Sequence, residues 1–162
     1  MSSASLISQY DPTNCTHTML RLASRQLTQI YDEALAPAGL TSAQSLLVTR
    51  IEEMGGRPGE SGPTLQELAR RLSVQISALT HALRPLVRDG VIAVLPDSKD
   101  RRVKRATLTE KGLAQTRQML ELWVGINTRI DQLLGHSATD QLRCLAGKVA
   151  ETGFAEKVLA KD

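Results

Sequence analysis

The stretch at 95–112, LPDSKDRRVKRATLTEKG, constrains the fold of this chain more than any other. Its positive charge is concentrated in residues 99–105, where Asp100 is the only acidic residue. The cations are Lys99, Arg101, Arg102, Lys104 and Arg105. Strand-like runs at 91–95 and 104–108 flank this segment, so the pattern predicts a β-hairpin with a cationic tip. A tip of this kind is suited to DNA phosphates and to a minor groove.

Helices are predicted on both sides of the hairpin, because apolar residues recur there at helical spacing. They are expected at 13–36, 41–55, 64–72 and 75–88, and then from 109 and from 137 onward. Capping boxes at 41–44 and 64–67 mark two helix starts, and a third cap is expected at 137–140. Pro85 predicts a kink in the fourth helix. The predicted fold class is therefore mainly α, with a small β-hairpin.

A helix-turn-helix followed by a hairpin is typical of the winged helix-turn-helix, whose second helix enters the major groove and whose wing reaches the minor groove. On the helix at 75–88, small and polar residues lie opposite Leu79 and Leu83. These candidates for base contacts are Gln75, Ser77, Ala78, Thr80, His81 and Arg84. The candidates on the wing are Lys99, Asp100, Arg101, Arg102 and Lys104, with Asp100 expected to hold Arg102 in position.

Composition narrows the function classes. With only 2% aromatic residues, the chain is poorly equipped to stack single-stranded bases. No apolar run is long enough for a membrane span, and the amino terminus lacks the features of a secretory signal, so we expect a cytoplasmic protein without a membrane partner. No catalytic constellation, metal signature or cofactor motif stands out, so an enzyme is not expected.

Three segments carry a family resemblance: LRLASRQLTQIYDEALAPAGLTSAQ, LQELARRLSV and PDSKDRRVKRATLTEKG. The last is the most specific, with Asp-Arg-Arg before a strand and then Leu-Thr-x-x-Gly. With these segments the chain resembles the MarR family of bacterial transcriptional regulators over essentially its full length. The resemblance implies one domain over 1–162, with a winged helix-turn-helix at 41–109 and dimerisation helices at 13–36 and 110–160.

The resemblance also implies a homodimeric repressor that binds a palindromic double-stranded DNA operator and is released by a small phenolic or lipophilic compound. Amphipathic flanking helices independently favour a symmetric partner, which would cover their apolar stripes. A tentative ligand pocket would use His17, Tyr31 and Trp123. A winged-helix module for protein contacts, without DNA specificity, is an alternative of another class.

Cys15 opens a second alternative, a repressor that senses an oxidant. A thiolate near a helix start is favoured by the helix dipole. One branch of the family senses organic hydroperoxides through an amino-terminal cysteine, sometimes paired with a cysteine of the other subunit, and Cys144 would be that partner. The competing interpretation is two unreactive thiols in helical packing.

Overall fold

The fold is mainly α with one two-stranded hairpin, as the sequence predicts. A computed structural model describes residues 15–160, so residues 13 and 14 of the predicted first helix lie outside it. The helices and strands are α1 (Thr16–Leu35), α2 (Ser42–Glu53), α3 (Leu65–Arg71), α4 (Ile76–Arg88), β1 (Ile92–Pro96), β2 (Lys104–Leu108), α5 (Glu110–Leu134), α6 (His136–Ala150) and α7 (Phe154–Leu159). The short helix α7 was not predicted.

Two helix starts are fixed by the predicted capping boxes. At α2 the Thr41 hydroxyl accepts a hydrogen bond from the Gln44 backbone N–H, and the Gln44 side chain accepts one from the Thr41 N–H. Thr64 and Glu67 exchange the same pair of bonds at α3. Each box supplies acceptors to two backbone N–H groups that the helix itself leaves without them.

The predicted cap at 137–140 is wrong. Helix α6 already begins at His136, so Ser137 lies inside it, and the residue before the helix is Gly135. Gly135 has φ 83° and is the single residue between α5 and α6. A backbone conformation that only glycine adopts without strain therefore makes this junction, and no side chain caps the helix.

Helix α4 runs through Pro85 to Arg88 without interruption. Apolar spacing predicts an inner face made of Ile76, Leu79, Leu83, Leu86 and Val87, and the observed buried face is narrower. Leu79, Leu83 and Leu86 are buried, whereas Ile76 and Val87, which helical spacing also places near that face, are 45% and 40% exposed. These two lie at the two ends of the helix, beyond the part that packs on the core.

The chain divides into two compact units, one reaching Leu122 and the other starting at Trp123. The first unit holds a continuous apolar core, to which the end of α1, α2, α3, α4, the hairpin and the first part of α5 contribute. Its largest fully buried apolar side chains are Leu35, Val48, Ile51, Leu68, Leu79, Leu86, Ile92, Leu108 and Met119. This core packs the helix-turn-helix and the hairpin together in one compact unit.

The hairpin is antiparallel, with Ile92 opposite Leu108 and Pro96 opposite Lys104. The loop at 56–64 lies along the outer edge of β2, because the Ala106 N–H donates to the Pro63 carbonyl at 2.9 Å and the Leu108 N–H donates to the Gly56 carbonyl at 2.8 Å. Strand β2 is thus bonded on both sides, and the root of the wing is joined to the segment that leads into α3.

The second unit contains the end of α5 together with α6 and α7. Within 123–160, Thr139 is the only buried residue. Many large apolar side chains are exposed in this unit: Trp123, Val124, Leu133, Leu134, Leu142, Leu145, Val149, Phe154, Val158 and Leu159. Across the described part of the chain, no helix is both long and apolar enough to cross a membrane.

Candidate DNA-binding surface

The predicted recognition residues lie together on one exposed surface of α4. Gln75 is the residue just before the helix, and all six candidates are exposed, while Leu79 and Leu83 anchor the opposite face in the core. The Thr80 hydroxyl donates to the Ile76 carbonyl at 2.8 Å, so its hydrogen is already engaged. Gln75, His81 and Arg84 are the longer polar side chains that this surface offers to a base edge.

The wing tip, residues 97–103, is a turn held by side-chain caps. The Asp97 N–H donates to the Val103 carbonyl at 2.9 Å, and one Asp97 carboxylate oxygen accepts from the N–H groups of Lys99 and Asp100, at 2.8 and 3.0 Å. Asp100 accepts from the Arg102 backbone N–H at 2.9 Å. Asp100 therefore positions Arg102 by shaping its backbone, and the bond does not involve the guanidinium.

Four cations in or next to this turn have no side-chain partner among the described residues. The side chains of Lys99, Arg101, Arg102 and Lys104 are exposed, and within 15–160 no hydrogen bond or ion pair engages any of them. By contrast, Arg88 pairs with Asp89 and Arg57 with Glu52. The positive charge of the wing tip is therefore not neutralised by the protein itself and is available to an external anion.

Arg105 behaves differently from the rest of the basic cluster. Its Nε donates to Asp97, and its Nη1 donates to the Gly62 carbonyl at 2.7 Å. The hydrogen bond from Arg105, followed by those from the Asp100 and Lys99 amides, lowers the pKa of Asp97 to about 2. Because this pKa is depressed, the pair contributes stability above the ordinary carboxyl range and loses it only as the pH falls towards 2.

The role of Asp97 was not predicted from the sequence. The available signal was an aspartate two residues before Lys99 in a turn, since aspartate commonly accepts from backbone N–H groups two residues further on. That Arg105 would pair with it required knowledge of the strand register.

The Leu-Thr-x-x-Gly segment joins the wing to α5. The Thr109 hydroxyl donates to the Gly90 carbonyl at 2.6 Å and accepts from the Gly112 N–H at 3.0 Å. A Cβ atom at Gly112 would lie 2.0 Å from the Val91 carbonyl oxygen. Glycine is required there because the first turn of α5 passes directly against the backbone that enters β1.

An apolar cavity of about 380 Å³ lies between α2 and α4. Leu46 and Leu47 line it from α2, and Ala78, Ala82 and Pro85 line it from α4. Ala78, predicted to approach DNA, therefore also borders this cavity. Among the described residues, Gln44 is its one polar lining residue, and its side-chain oxygen already accepts from the Thr41 N–H.

The predicted ligand-pocket residues lie elsewhere. His17 and Tyr31 are on α1, where their sequence separation places them about 21 Å apart along the helix axis. One small ligand within a protomer does not span that distance. Trp123 belongs to the second unit and is 45% exposed.

The two cysteines are free thiols in different settings. Cys15 is half-buried and lies immediately before α1, whereas Cys144 is exposed on α6. Hydrogen bonds from Thr18, first from its side chain and then from its backbone, lower the pKa of Cys15. Among residues 15–160, no three His, Cys, Asp or Glu side chains come together in a group that could hold a metal ion.

Comparison with known proteins identifies a family. The MarR family model matches residues 40–104, from just before α2 to the first residue of β2. The transcriptional activatory protein BadR of Rhodopseudomonas palustris is 30% identical over 110 residues, which span 61% of this chain and 61% of BadR. The chain therefore matches less than two thirds of the length of that relative.

Solved structures extend the similarity. The M. tuberculosis transcriptional regulator MosR, solved in complex with DNA, is 31% identical, with a TM-score of 0.64 over 85% of this chain and 100% of MosR. A mutant of MarR from E. coli, complexed with operator DNA, is 26% identical, with a TM-score of 0.71 over 82% of this chain and 91% of MarR.

Proposed function

The chain belongs to the MarR family of winged-helix regulators, and we propose that it regulates transcription by binding double-stranded operator DNA as a homodimer. The observation that carries the proposal is the set of four exposed wing cations, Lys99, Arg101, Arg102 and Lys104, which have no partner among the described residues. They lie in the same compact unit as the exposed face of α4. A major-groove helix beside a minor-groove cation is the arrangement that this fold uses for duplex DNA. The proposal puts the protein in the cytoplasm, with its DNA.

Two DNA complexes among the similar structures support this proposal. MosR and E. coli MarR were each solved with DNA, and both align with more than four fifths of this chain. We propose that α4 uses Gln75, His81 and Arg84 for base edges, and that the wing cations bind phosphates and the minor groove.

The direct test is a titration of the purified protein against the duplex upstream of its own coding sequence and against a scrambled duplex, at several salt concentrations. Specific binding is expected, with affinity falling steeply as salt rises, because each neutralised phosphate releases counterions. Equal affinity for both duplexes would contradict operator recognition. No binding to either would favour the protein-interaction module.

The homodimer is supported by apolar surface that the protomer leaves uncovered. On α6, Leu142, Leu145 and Val149 are 42%, 61% and 39% exposed, and they recur at helical spacing. Such a stripe on a soluble helix normally packs against another element. A second copy of the chain would cover it symmetrically and present two recognition helices to a palindrome.

Leu145→Glu is expected to produce monomers and to weaken binding to a palindromic operator by about 100-fold or more, because a charge enters the interface and each monomer holds only one half-site. Sedimentation and the DNA titration check both effects. Gly147→Glu adds the same charge on the opposite side of α6 and should leave the dimer intact. A dimeric Leu145→Glu protein would exclude this surface.

In more detail, the proposal is that the protein represses transcription and that a small phenolic or lipophilic compound releases it from DNA. The apolar cavity between α2 and α4 supports it, because an occupant there would contact Ala78, which also belongs to the surface proposed to face DNA. The pocket of His17, Tyr31 and Trp123 stays a prediction. Since the similar protein BadR is named an activator, a reporter carrying the operator should be measured in both directions, and we expect deletion of this chain to raise expression.

Oxidant sensing through Cys15 is the second candidate, and the lowered pKa of its thiol favours it. Reduced protein should bind the operator tightly, and treatment with an organic hydroperoxide should release it. The Cys15→Ser protein should then stay bound after the same treatment, and Cys144→Ser shows whether a second thiol takes part. Binding that is indifferent to the oxidant would assign both cysteines to packing.

A further inference from the structure

Asp97 and Arg105 form a connection that DNA contact does not explain. Arg105 lies in the basic cluster, yet its guanidinium is turned towards the protein, and only 28% of its side chain is exposed. Its partner Asp97 is 13% exposed. A cation that served mainly to bind phosphate would be expected to stay in solvent, as Lys104 does on the neighbouring position of β2.

Each carboxylate oxygen of Asp97 has a separate task. One oxygen accepts from the backbone N–H groups of Lys99 and Asp100, which form the wing tip. The other accepts from Nε of Arg105, the second residue of β2. A single side chain therefore ties the tip to β2. Charge-assisted hydrogen bonds of this kind are stronger and more directional than neutral ones.

Arg105 carries the connection onward to the helix-turn-helix. Its Nη1 donates to the Gly62 carbonyl, and its backbone pairs with Thr64. Thr64 is the capping residue of α3. Gly62 has φ +63°, and a Cβ atom there would lie 2.1 Å from the Ala106 carbonyl oxygen, so the loop is pressed against β2.

We propose that Asp97 and Arg105 are positioning residues for DNA binding, which tie the wing tip to the loop before α3 and so set the place of Arg102 relative to α4. The inference rests on the proposed function. Neither residue needs to touch DNA. A wing held in one orientation loses less conformational entropy when its cations enter the groove.

A purely electrostatic role and a positioning role of Asp97 predict opposite effects of Asp97→Asn on DNA affinity. If charge alone mattered, removing an acid from the DNA-facing hairpin would tighten binding. Positioning predicts weaker binding, by about 10-fold, because the amide still accepts from the tip backbone but no longer holds Arg105 as an ion pair. Asp97→Glu keeps the charge and should recover part of the loss.

Arg105→Gln is tested by measuring how its DNA affinity depends on salt concentration. A lost phosphate contact lowers the slope of log affinity against log salt by about 0.9, whereas a lost positioning contact leaves the slope unchanged while affinity falls. Lys104→Gln is the matched control on the same strand, and we expect it to show the lower slope. Circular dichroism at the assay temperature confirms that each variant is folded, and Arg105→Lys replaces Arg105→Gln if the latter is not.

A double-mutant comparison isolates positioning from general stability. Arg102→Ala should reduce affinity much less in the Asp97→Asn background than in the wild type, because a displaced Arg102 already contributes less to DNA binding. Additive losses, a lower slope for Arg105→Gln, or binding by Asp97→Asn at or above the wild-type level would each overturn the inference. Absence of specific binding by the wild-type protein would instead reject the proposed function itself.

Discussion

Gly112→Ala is expected to destabilise the protein by about 2–3 kcal/mol, the upper part of the range of about 1–3 kcal/mol that overfilling a packed site costs. The added methyl group would meet the Val91 carbonyl oxygen at 2.0 Å. Backbone cannot rotate away as a flexible side chain could, so α5 would have to shift from the hairpin. That shift would also disturb Thr109, whose hydroxyl joins Gly90 to Gly112.

Gly125→Ala provides the matched control in the same helix. No atom lies within 4 Å of a Cβ at Gly125 in the described part of the protomer, and glycine inside a helix costs up to about 1 kcal/mol relative to alanine. Gly112→Ala is therefore expected to lower the free energy of unfolding, and Gly125→Ala to raise it. Urea unfolding followed by circular dichroism measures both. An unchanged midpoint for Gly112→Ala would mean that α5 and the hairpin do not meet as closely as described.

Arg102→Ala is expected to weaken operator binding by about 30-fold, the middle of the range of about 1–3 kcal/mol for a specific groove contact. The Arg102 N–H is fixed by Asp100, while its guanidinium has no partner within the described residues. The side chain therefore does not have to leave an internal ion pair before it enters DNA. A guanidinium is also weakly hydrated, which suits a narrow minor groove.

Arg50→Ala removes the same charge at a place where it is already paired, since Arg50 contacts Glu53 on α2. It should leave operator affinity within about two-fold, in line with the small contribution of exposed ion pairs. Fluorescence anisotropy on specific and scrambled duplexes measures both variants, and sedimentation checks that Arg102→Ala stays dimeric. Wild-type affinity in Arg102→Ala would remove the wing tip from the mechanism.

The helices and the hairpin were predictable from sequence because their signals are local. Apolar spacing, the hydroxyls of Thr41 and Thr64, and the strand runs around the basic turn act within a few residues of each other. The structure places the two capping boxes and the hairpin where those signals stand. The start of α6 was misjudged for the same reason, since a local hydroxyl pattern at 137–140 was preferred to the conformational freedom of Gly135.

The sequence by itself determined the helical class, the hairpin and the concentration of charge at its tip. Only the tertiary structure decided which cations of the basic segment are unpaired. Arg105 is engaged because it donates hydrogen bonds to Asp97 and to the carbonyl of Gly62, which is 43 residues away in sequence. The tertiary structure likewise decided why Gly112 must be glycine, through the approach of Val91. Both outcomes depend on which segments meet across the fold, and pairings between distant segments leave no periodic pattern in the chain.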